Sequence, residues 1–306
     1  MAKYIIKRFL VAIPVLIGVM LITFYMLNVV PGDPVTVMMK EHVKPDVIEN
    51  LRQTMHLDDP AYIRFFRFLW DALQGDFGIS YKLNRPVTGL IIKAFPITIK
   101  LSVAAAAVAW IIGIPVGIIS AVKKSTIIDH MFMGFALFGV SMPVFLIGLL
   151  AQYIFSFKLG WLPVTGYETW KQLLMPSIVL GWNSAGTIAR LTRSNLLEAM
   201  KNDYIRTARA KGLKESAVVT GHALKNSMLP VITIMAIQVA SLLSGAVLTE
   251  SIFGIPGVGR LSVDAIQGRD MPLLQGSVVF ATALIILGNI VADILYSLVD
   301  PRIRVD

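Results

Sequence analysis

The stretch PITIKLSVAAAAVAWIIGIPVGIISAV, Pro96–Val122, stopped at once by Lys123 and Lys124, decides the fold. It carries a single charge, Lys100, near its start. A helix needs about 20 apolar residues to cross the hydrocarbon core of a bilayer, and a pair of lysines directly after such a run is the usual mark of a membrane boundary. Five further runs qualify on the same grounds: Phe9–Val30, Met131–Phe157, Leu173–Ala189, Leu229–Thr249 and Gly276–Val299. The run from Leu173 is diluted by Gly181, Trp182, Asn183, Ser184 and Gly186, but Pro176 near its start and Arg190 and Arg193 after it support a span. The expectation is an all-α membrane protein with six transmembrane helices.

Composition agrees. The chain is 56% apolar and 15% charged over 306 residues, more apolar surface than a soluble domain of that size can bury. The net charge of +9 does not point to nucleic acid, because the basic residues stand at the ends of apolar runs and the aromatics inside them. With no cysteine there are no disulfides, thiolate metal sites or cysteine nucleophiles. Lys3, Lys7 and Arg8 precede the first run as in a signal peptide, yet that run is longer than a signal core and no small-x-small cleavage site follows it. It is read as a retained span.

Lysine and arginine resist translocation in short loops. Lys3, Lys7, Arg8, Lys123, Lys124, the set from Arg190 to Lys225, and Arg302 and Arg304 all fall on one side. That orientation puts both termini in the cytoplasm of a multi-pass protein of the cytoplasmic (inner) membrane. The organisation is then an N-terminal helix (1–30), an extracytoplasmic segment (31–94), a transmembrane domain (95–300) with a cytoplasmic loop (190–228), and a cytoplasmic tail (301–306). Within the extracytoplasmic segment, Glu49–His56 and Tyr62–Leu73 have helical composition. The second brings Phe65, Phe66, Leu69 and Leu73 close to one face, which suits a small subdomain or lid lying on the membrane, or a partly ordered connector.

The spans are poor in charge. Asp293 lies well inside one, four residues after Asn289 on the same helical face, which suits an interhelical hydrogen bond. A proton- or sodium-driven carrier normally needs more intramembrane acids or inverted repeats. Pro14, Pro115, Pro143 and Pro230 interrupt spans as hinges or simple kinks, and Gly113-x-x-x-Gly117 offers a face for close helix packing. His42, His56, His130 and His222 are scattered, so neither a catalytic constellation nor a metal site is expected. Gly254-Ile-Pro-Gly-Val-Gly-Arg260 is glycine-rich without the spacing of a phosphate loop. If ATP drives the protein, another chain binds it.

The loop from Arg190 to Leu229 carries eight basic and three acidic residues. Ser194 or Asn195 can cap a helix containing Leu196, Leu197 and Met200. A second piece from Tyr204 to Lys211 ends at Gly212, suited to the left-handed conformation after a helix. Thr207, Ala208 and Ala210 keep this piece thin, with Tyr204 and Ile205 as an apolar anchor.

At these residues the chain resembles the permease subunits of binding-protein-dependent ABC importers, in particular the dipeptide and oligopeptide group, which includes nickel and glutathione importers. In that superfamily a glycine-containing EAA-type motif forms a coupling helix that sits in a cleft of the ATPase. Here Arg206-Thr207-Ala208 stands where Glu-Ala-Ala would be, Gly212 matches the glycine, and Leu229-Pro230 comes later than in the general motif. The resemblance extends through Val30-Pro-Gly-Asp-Pro34, Gly75-Asp-Phe-Gly-Ile-Ser80, Ser141-Met-Pro-Val-Phe145, Gly160-Trp-Leu-Pro163, Asp203 to Leu213, His222-Ala-Leu-Lys-Asn226, Thr249-Glu-Ser-Ile-Phe-Gly254, Pro256-Gly-Val-Gly-Arg260, Arg269-Asp-Met-Pro272 and Asp300-Pro-Arg-Ile-Arg304.

The resemblance implies the type I ABC importer permease fold and a non-enzymatic chain. It also implies a homologous second permease, two ABC ATPase subunits that bind ATP and Mg, an extracytoplasmic substrate-binding protein, and the bilayer, with no nucleic acid. The expected function is peptide import by alternating access, with nickel or glutathione as alternative cargo. An ion-coupled secondary carrier is the rival class, tested by uptake under a proton gradient without ATP; a membrane scaffold is a third. Coupling residues are expected at Tyr204, Ile205, Arg206, Thr207, Ala208, Arg209, Ala210, Lys211 and Gly212. Asn183, Ser184, Gln238, Ser241 and Ser244 are suited equally to a wet pathway and to interhelical hydrogen bonds. Glu250 and Arg260 are expected at an external gate or binding-protein contact.

Overall fold

The computed structural model describes residues 2–29, 58–243 and 246–299, and these are helical apart from turns, short connections and one isolated bridge between Ile79 and Pro86. The helices are α1 (Ala2–Val29), α2 (Ala61–Leu73), α3 (Val87–Val122), α4 (Ile127–Ser141), α5 (Val144–Ala151), α6 (Trp170–Ala199), α7 (Asp203–Ala210), α8 (Glu215–Ala217), α9 (Leu224–Leu243), α10 (Val247–Ile252), α11 (Val258–Gly268) and α12 (Met271–Val299). A π turn, Gln152–Lys158, extends α5, and another, Val218–Ala223, joins α8 to α9 into one rod from Glu215 to Leu243.

Among the described residues, α1, α3, the α8–α9 rod and α12 are long and apolar enough to cross a membrane. The third expected span is not one straight helix. Met131–Phe157 falls on α4 and α5, which meet at a bend of 104°. Met142 is extended (φ −93°, ψ 141°) because the ring of Pro143 disfavours the helical region for the residue before it. By contrast Pro14, Pro115 and Pro230 lie inside continuous helices, so of the four candidate hinges only Pro143 breaks the chain's course.

The bent pair still makes one net crossing. A Cβ on Gly117 would stand 2.6 Å from the carbonyl oxygen of Ala189, one on Gly113 2.8 Å from that of Ala185, and one on Gly181 2.6 Å from that of Ala105. The partners advance together in number, so α3 and α6 run parallel and α4–α5 must return the chain between them. The GxxxG face of α3 therefore packs closely as expected, against Ala185, Ile188, Ala189 and Thr192 of α6. At 30 residues α6 is about 45 Å long; its polar centre keeps it out of the purely apolar set.

Other boundaries shift for related reasons. α3 begins at Val87, inside the segment assigned to the exterior, and α12 begins at Met271 rather than Gly276. α6 continues from Ala189 through Arg190 to Ala199, so neither Ser194 nor Asn195 caps a helix and the polar connection shrinks to Met200–Lys214. Apolar runs mark where lipid ends, whereas a helix continues until its backbone is stopped. The fifth expected span is described as helix α9 up to Leu243, and Thr249 and Glu250 belong to α10. In α2, Phe65, Phe68, Leu69 and Ala72 pack against Met20, Phe24 and Val279, while Phe66 and Leu73 are exposed. Glu49–His56, Val30–Pro34, the tail 301–306, Ser244 and the side chain of Asp293 lie outside the described residues.

Candidate functional site

At one end of the bundle α7 sits across the connection between α6 and the α8–α9 rod. Its sequence alternates charge and small residues, and its inward face is Ile205, fully buried, and Ala208. They enter a cluster of Ala121, Leu196, Ala199, Val218, Val219 and Ala223, so α7 is pinned to the ends of α3, α6 and the rod. Of the small residues expected to keep this piece thin, Thr207 and Ala210 are exposed but Ala208 is not, since helix periodicity sets it three residues from Ile205 on the same side. Asp203, Tyr204, Arg206, Thr207, Arg209, Ala210 and Lys211 are the exposed ones. Gly212 follows at φ 76°, the left-handed region, with open space where a Cβ would stand. The Arg209 guanidinium donates from Nε and Nη2 to Glu215 Oε2 and Oε1 at 3.0 and 2.6 Å, tying α7 to α8. That carboxylate raises the Arg209 pKa above its ordinary value.

The same end holds an ion pair that sequence reading missed. Asp129 is buried at the start of α4, where Thr126 caps the helix, and it receives Arg193 Nε at 2.9 Å and Nη2 at 2.7 Å from α6. Thr126-Ile-Ile-Asp129 has the capping spacing that could have revealed it.

At the opposite end the glycine-rich loop cradles an anion, and that anion is the chain's own Glu250. Its Oε1 accepts from Thr98 Oγ1 at 2.8 Å and its Oε2 from the Arg260 backbone N–H at 3.0 Å. Thr98 Oγ1 in turn accepts from the Val258 N–H at 2.9 Å. Cβ atoms on Gly257 and Gly259 would meet the carboxylate at 2.2 and 2.9 Å. Burial raises the Glu250 pKa, opposed by Thr98 and the backbone donors of Arg260 and Gly259. Glu250 is therefore not an external contact in this arrangement: its side chain is 0% exposed. Arg260 is half-buried, with Nε 3.8 Å from Asp264.

Two more of the sequence motifs meet here. Ser80 Oγ donates to Asp270 Oδ2, and the Tyr81 and Lys82 N–H groups reach the same carboxylate at 3.1 and 3.2 Å. Gln152 Nε2 bridges the carbonyls of Val164 and Ile252, each at 3.0 Å. Burial pushes the Tyr81 phenol up to about 12.

The polar pathway candidates are only partly assembled. Asn183 Nδ2 donates to the Gly139 carbonyl of α4 at 3.2 Å, and Gln238 Nε2 to the Ser184 carbonyl at 3.4 Å. These are interhelical hydrogen bonds, although Gln238 Oε1 is buried with no donor among the described residues. Ser241 is exposed on α9. A separate cavity of 450 Å³ between α3, α9 and α12 is lined by apolar side chains including Trp110, Met235, Leu284 and Val291.

Residues 113–305 match the model of the binding-protein-dependent transport system inner membrane component, and residues 1–102 match that of its N-terminal region. The chain belongs to this family. The permease is 40% identical over 304 residues to the glutathione transport system permease protein GsiC of Escherichia coli strain K12, covering 99% of each chain. It is 42% identical to GsiC of Pectobacterium atrosepticum over the same share of each. Against the dipeptide transport system permease protein DppB of Alkalihalophilus pseudofirmus it is 38% identical over 332 residues, covering 99% of this chain and 100% of that one. Its fold matches a chain of the MetNI methionine ABC transporter in an inward-facing conformation at TM-score 0.60 and 17% identity, covering 69% of this chain and 96% of that chain. The protein is thus the permease component of a binding-protein-dependent ABC importer with a type I fold, a multi-pass protein of the inner membrane.

Proposed function

We propose that the permease imports di- and oligopeptides, glutathione included, and that α7 is its coupling helix. The observation that carries the coupling role is the combination of a buried pin, Ile205, with a polar outer face ending at a left-handed glycine. A push on the exposed face of α7 is passed to α3, α6 and the rod through the cluster around Ile205, because close-packed interiors transmit displacement rather than absorb it. On this reading the α7 end is cytoplasmic and receives an ATPase subunit, one of two that bind ATP and Mg. A homologous permease completes the pathway, and a binding protein delivers cargo at the Glu250 end. Both termini then lie in the cytoplasm, as the lysine and arginine distribution favours.

The peptide class is supported by the named cargo of the relatives, dipeptide and glutathione, and by uncharged polar groups at Asn183, Ser184 and Gln238. Gln238 Oε1, buried without a donor among the described residues, is suited to completion by water, cargo or the second permease. In the closed arrangement Glu250 holds the external side shut, and the exposed part of Arg260 is the contact left for a binding protein.

The decisive experiment replaces Gly212 by Glu in the assembled transporter. A side chain at φ 76° strains the end of α7 and adds a charge to its outer face, while open space around it avoids a clash. Membrane insertion is expected to persist, with ATP hydrolysis no longer linked to uptake. Uptake and hydrolysis both at wild-type rates would refute the coupling role. Ala208→Glu is the packing control, since it buries a charge in the Ile205 cluster and is expected to reduce the amount of folded protein.

A further inference from the structure

We infer that α2 is an interfacial helix whose exposed stripe, Tyr62, Ile63, Phe66, Trp70 and Leu73, lies in the boundary between lipid headgroups and acyl chains. The helix is divided three ways. At about 100° per residue, its side chains form three groups whose centres lie roughly a third of a turn apart. Phe65, Phe68, Leu69 and Ala72 face the protein. Arg64, Arg67 and Asp71 form a polar face, with Arg67 bonded to Asp59 at 3.0 Å. The third face is apolar yet uncovered by the described residues: Tyr62, Phe66, Trp70 and Leu73 are between 63% and 72% exposed. A helix with only two environments, protein and water, has no use for this third face.

Its level in the bundle identifies the occupant. Phe65 and Phe68 pack on Phe24 with ring centroids at 5.5 and 6.5 Å, and Phe24 stands near the end of the α1 span. Eighteen residues separate it from Ile6, or about 27 Å of helix, close to the thickness of the hydrocarbon core. At that level α1 itself exposes the apolar side chains of Leu21, Ile22, Tyr25 and Met26, within a helix long and apolar enough to cross a membrane. The α2 stripe continues this surface at the depth where tyrosine and tryptophan accumulate, while Arg67 is exposed on the polar face beside Asp59 and Arg64 lies with its guanidinium over the Phe24 ring, 5.8 Å from its centroid. The consequence is an anchor fixing the far ends of α1 and α12 to one leaflet, independent of which cargo is carried.

This chain has no cysteine, so single cysteines can be introduced and spin-labelled before assembly with its partners. Single cysteines at Phe66, Leu73, Arg67 and Asp71 are spin-labelled, the transporter is assembled in phospholipid nanodiscs, and collision rates are measured with oxygen and with a water-soluble nickel chelate. Oxygen is expected to dominate at 66 and 73 and the chelate at 67 and 71, so the ratio inverts around the helix. Chelate access at 66 and 73 equal to that at 67 and 71 would overturn the proposal in favour of a surface awaiting a soluble partner. Shielding from both probes would overturn it in favour of coverage by protein. Trp70→Phe supplies a readout that needs no label: the drop in brominated-lipid quenching relative to the wild type isolates Trp70 among the chain's five tryptophans, and no drop at any bromine depth refutes lipid contact.

Discussion

The two ends of the bundle are fastened by different physics. The α7 end hangs on an apolar pin, Ile205, with an exposed ion pair beside it, whereas the opposite end is closed by buried carboxylates whose oxygens are matched to named donors. Apolar packing is non-directional and lets an element move with its neighbours. A buried polar network permits few geometries, because each broken bond leaves a desolvated group without a partner. Under the proposed function, the difference separates the end that would receive motion from the end that would release it. An end that is pushed can be held by packing, whereas an end acting as a gate would need a bonded set that is either whole or broken.

The comparison breaks most visibly at Glu250. Glu250→Ala strips the acceptors from Thr98 and from the Arg260 N–H and leaves them buried, at about 1–3 kcal/mol for each unsatisfied group. Thermal unfolding of the purified transporter is expected at a markedly lower temperature, with uptake lost. Gly257→Ala should mimic it, since the new methyl would occupy the place of the carboxylate. Wild-type melting in both variants would show that the network does not hold this end. Glu250→Gln, which keeps one acceptor and the shape, is expected to fall between them and the wild type.

The buried pair Asp129–Arg193 makes a smaller test at the α7 end, because its polar bonding resembles that of the opposite side. Asp129→Asn leaves Arg193 facing an uncharged amide in a largely buried fork. Removing one partner of such a pair costs about 3–5 kcal/mol when burial is complete. Arg193 is 29% exposed, so the lower part of that range is expected. The measurement is the melting temperature, together with recovery in the double variant Asp129→Asn, Arg193→Gln. No recovery in the double variant would mean that each residue acts through other contacts.

What was legible in the sequence follows the same division. Apolar runs located α1, α3 and α12 because lipid demands a continuous apolar surface, and Gly212 marked the end of α7 because few residues adopt φ 76°. The break at Met142–Pro143 was hidden inside an unbroken apolar run, where hydropathy does not register backbone direction. The continuation of α6 past Arg190 was hidden for the opposite reason, since polar residues end an apolar signal without ending a helix. Glu250 looked like a loop charge, and Gly257 and Gly259 were tested only against phosphate spacing. Their reason, a carboxylate brought from seven to nine residues away, exists only once the loop has closed on itself. Long-range pairs such as Ser80 with Asp270 leave no local pattern at all.

The smallest effect is expected at Arg209–Glu215, and it sharpens the contrast because its geometry is nearly that of Asp129–Arg193. Both are two-point forks with one contact near 2.6 to 2.7 Å. They differ in surroundings: the side chains of Arg209 and Glu215 are 40% and 53% exposed, against 29% and 4% for Arg193 and Asp129. Water and salt screen the first pair, so a double-mutant cycle on Arg209→Gln and Glu215→Gln should give a coupling of about 0.2–1 kcal/mol that shrinks in high salt. The same cycle on Asp129 and Arg193 should change little with salt. If both couplings respond equally, burial does not separate the pairs, and the α7 end is fastened more uniformly than its packing implies. If only the exposed pair fades, α7 is left on its apolar pin alone under salt, and the element proposed to receive an ATPase subunit is the one least constrained by polar bonds.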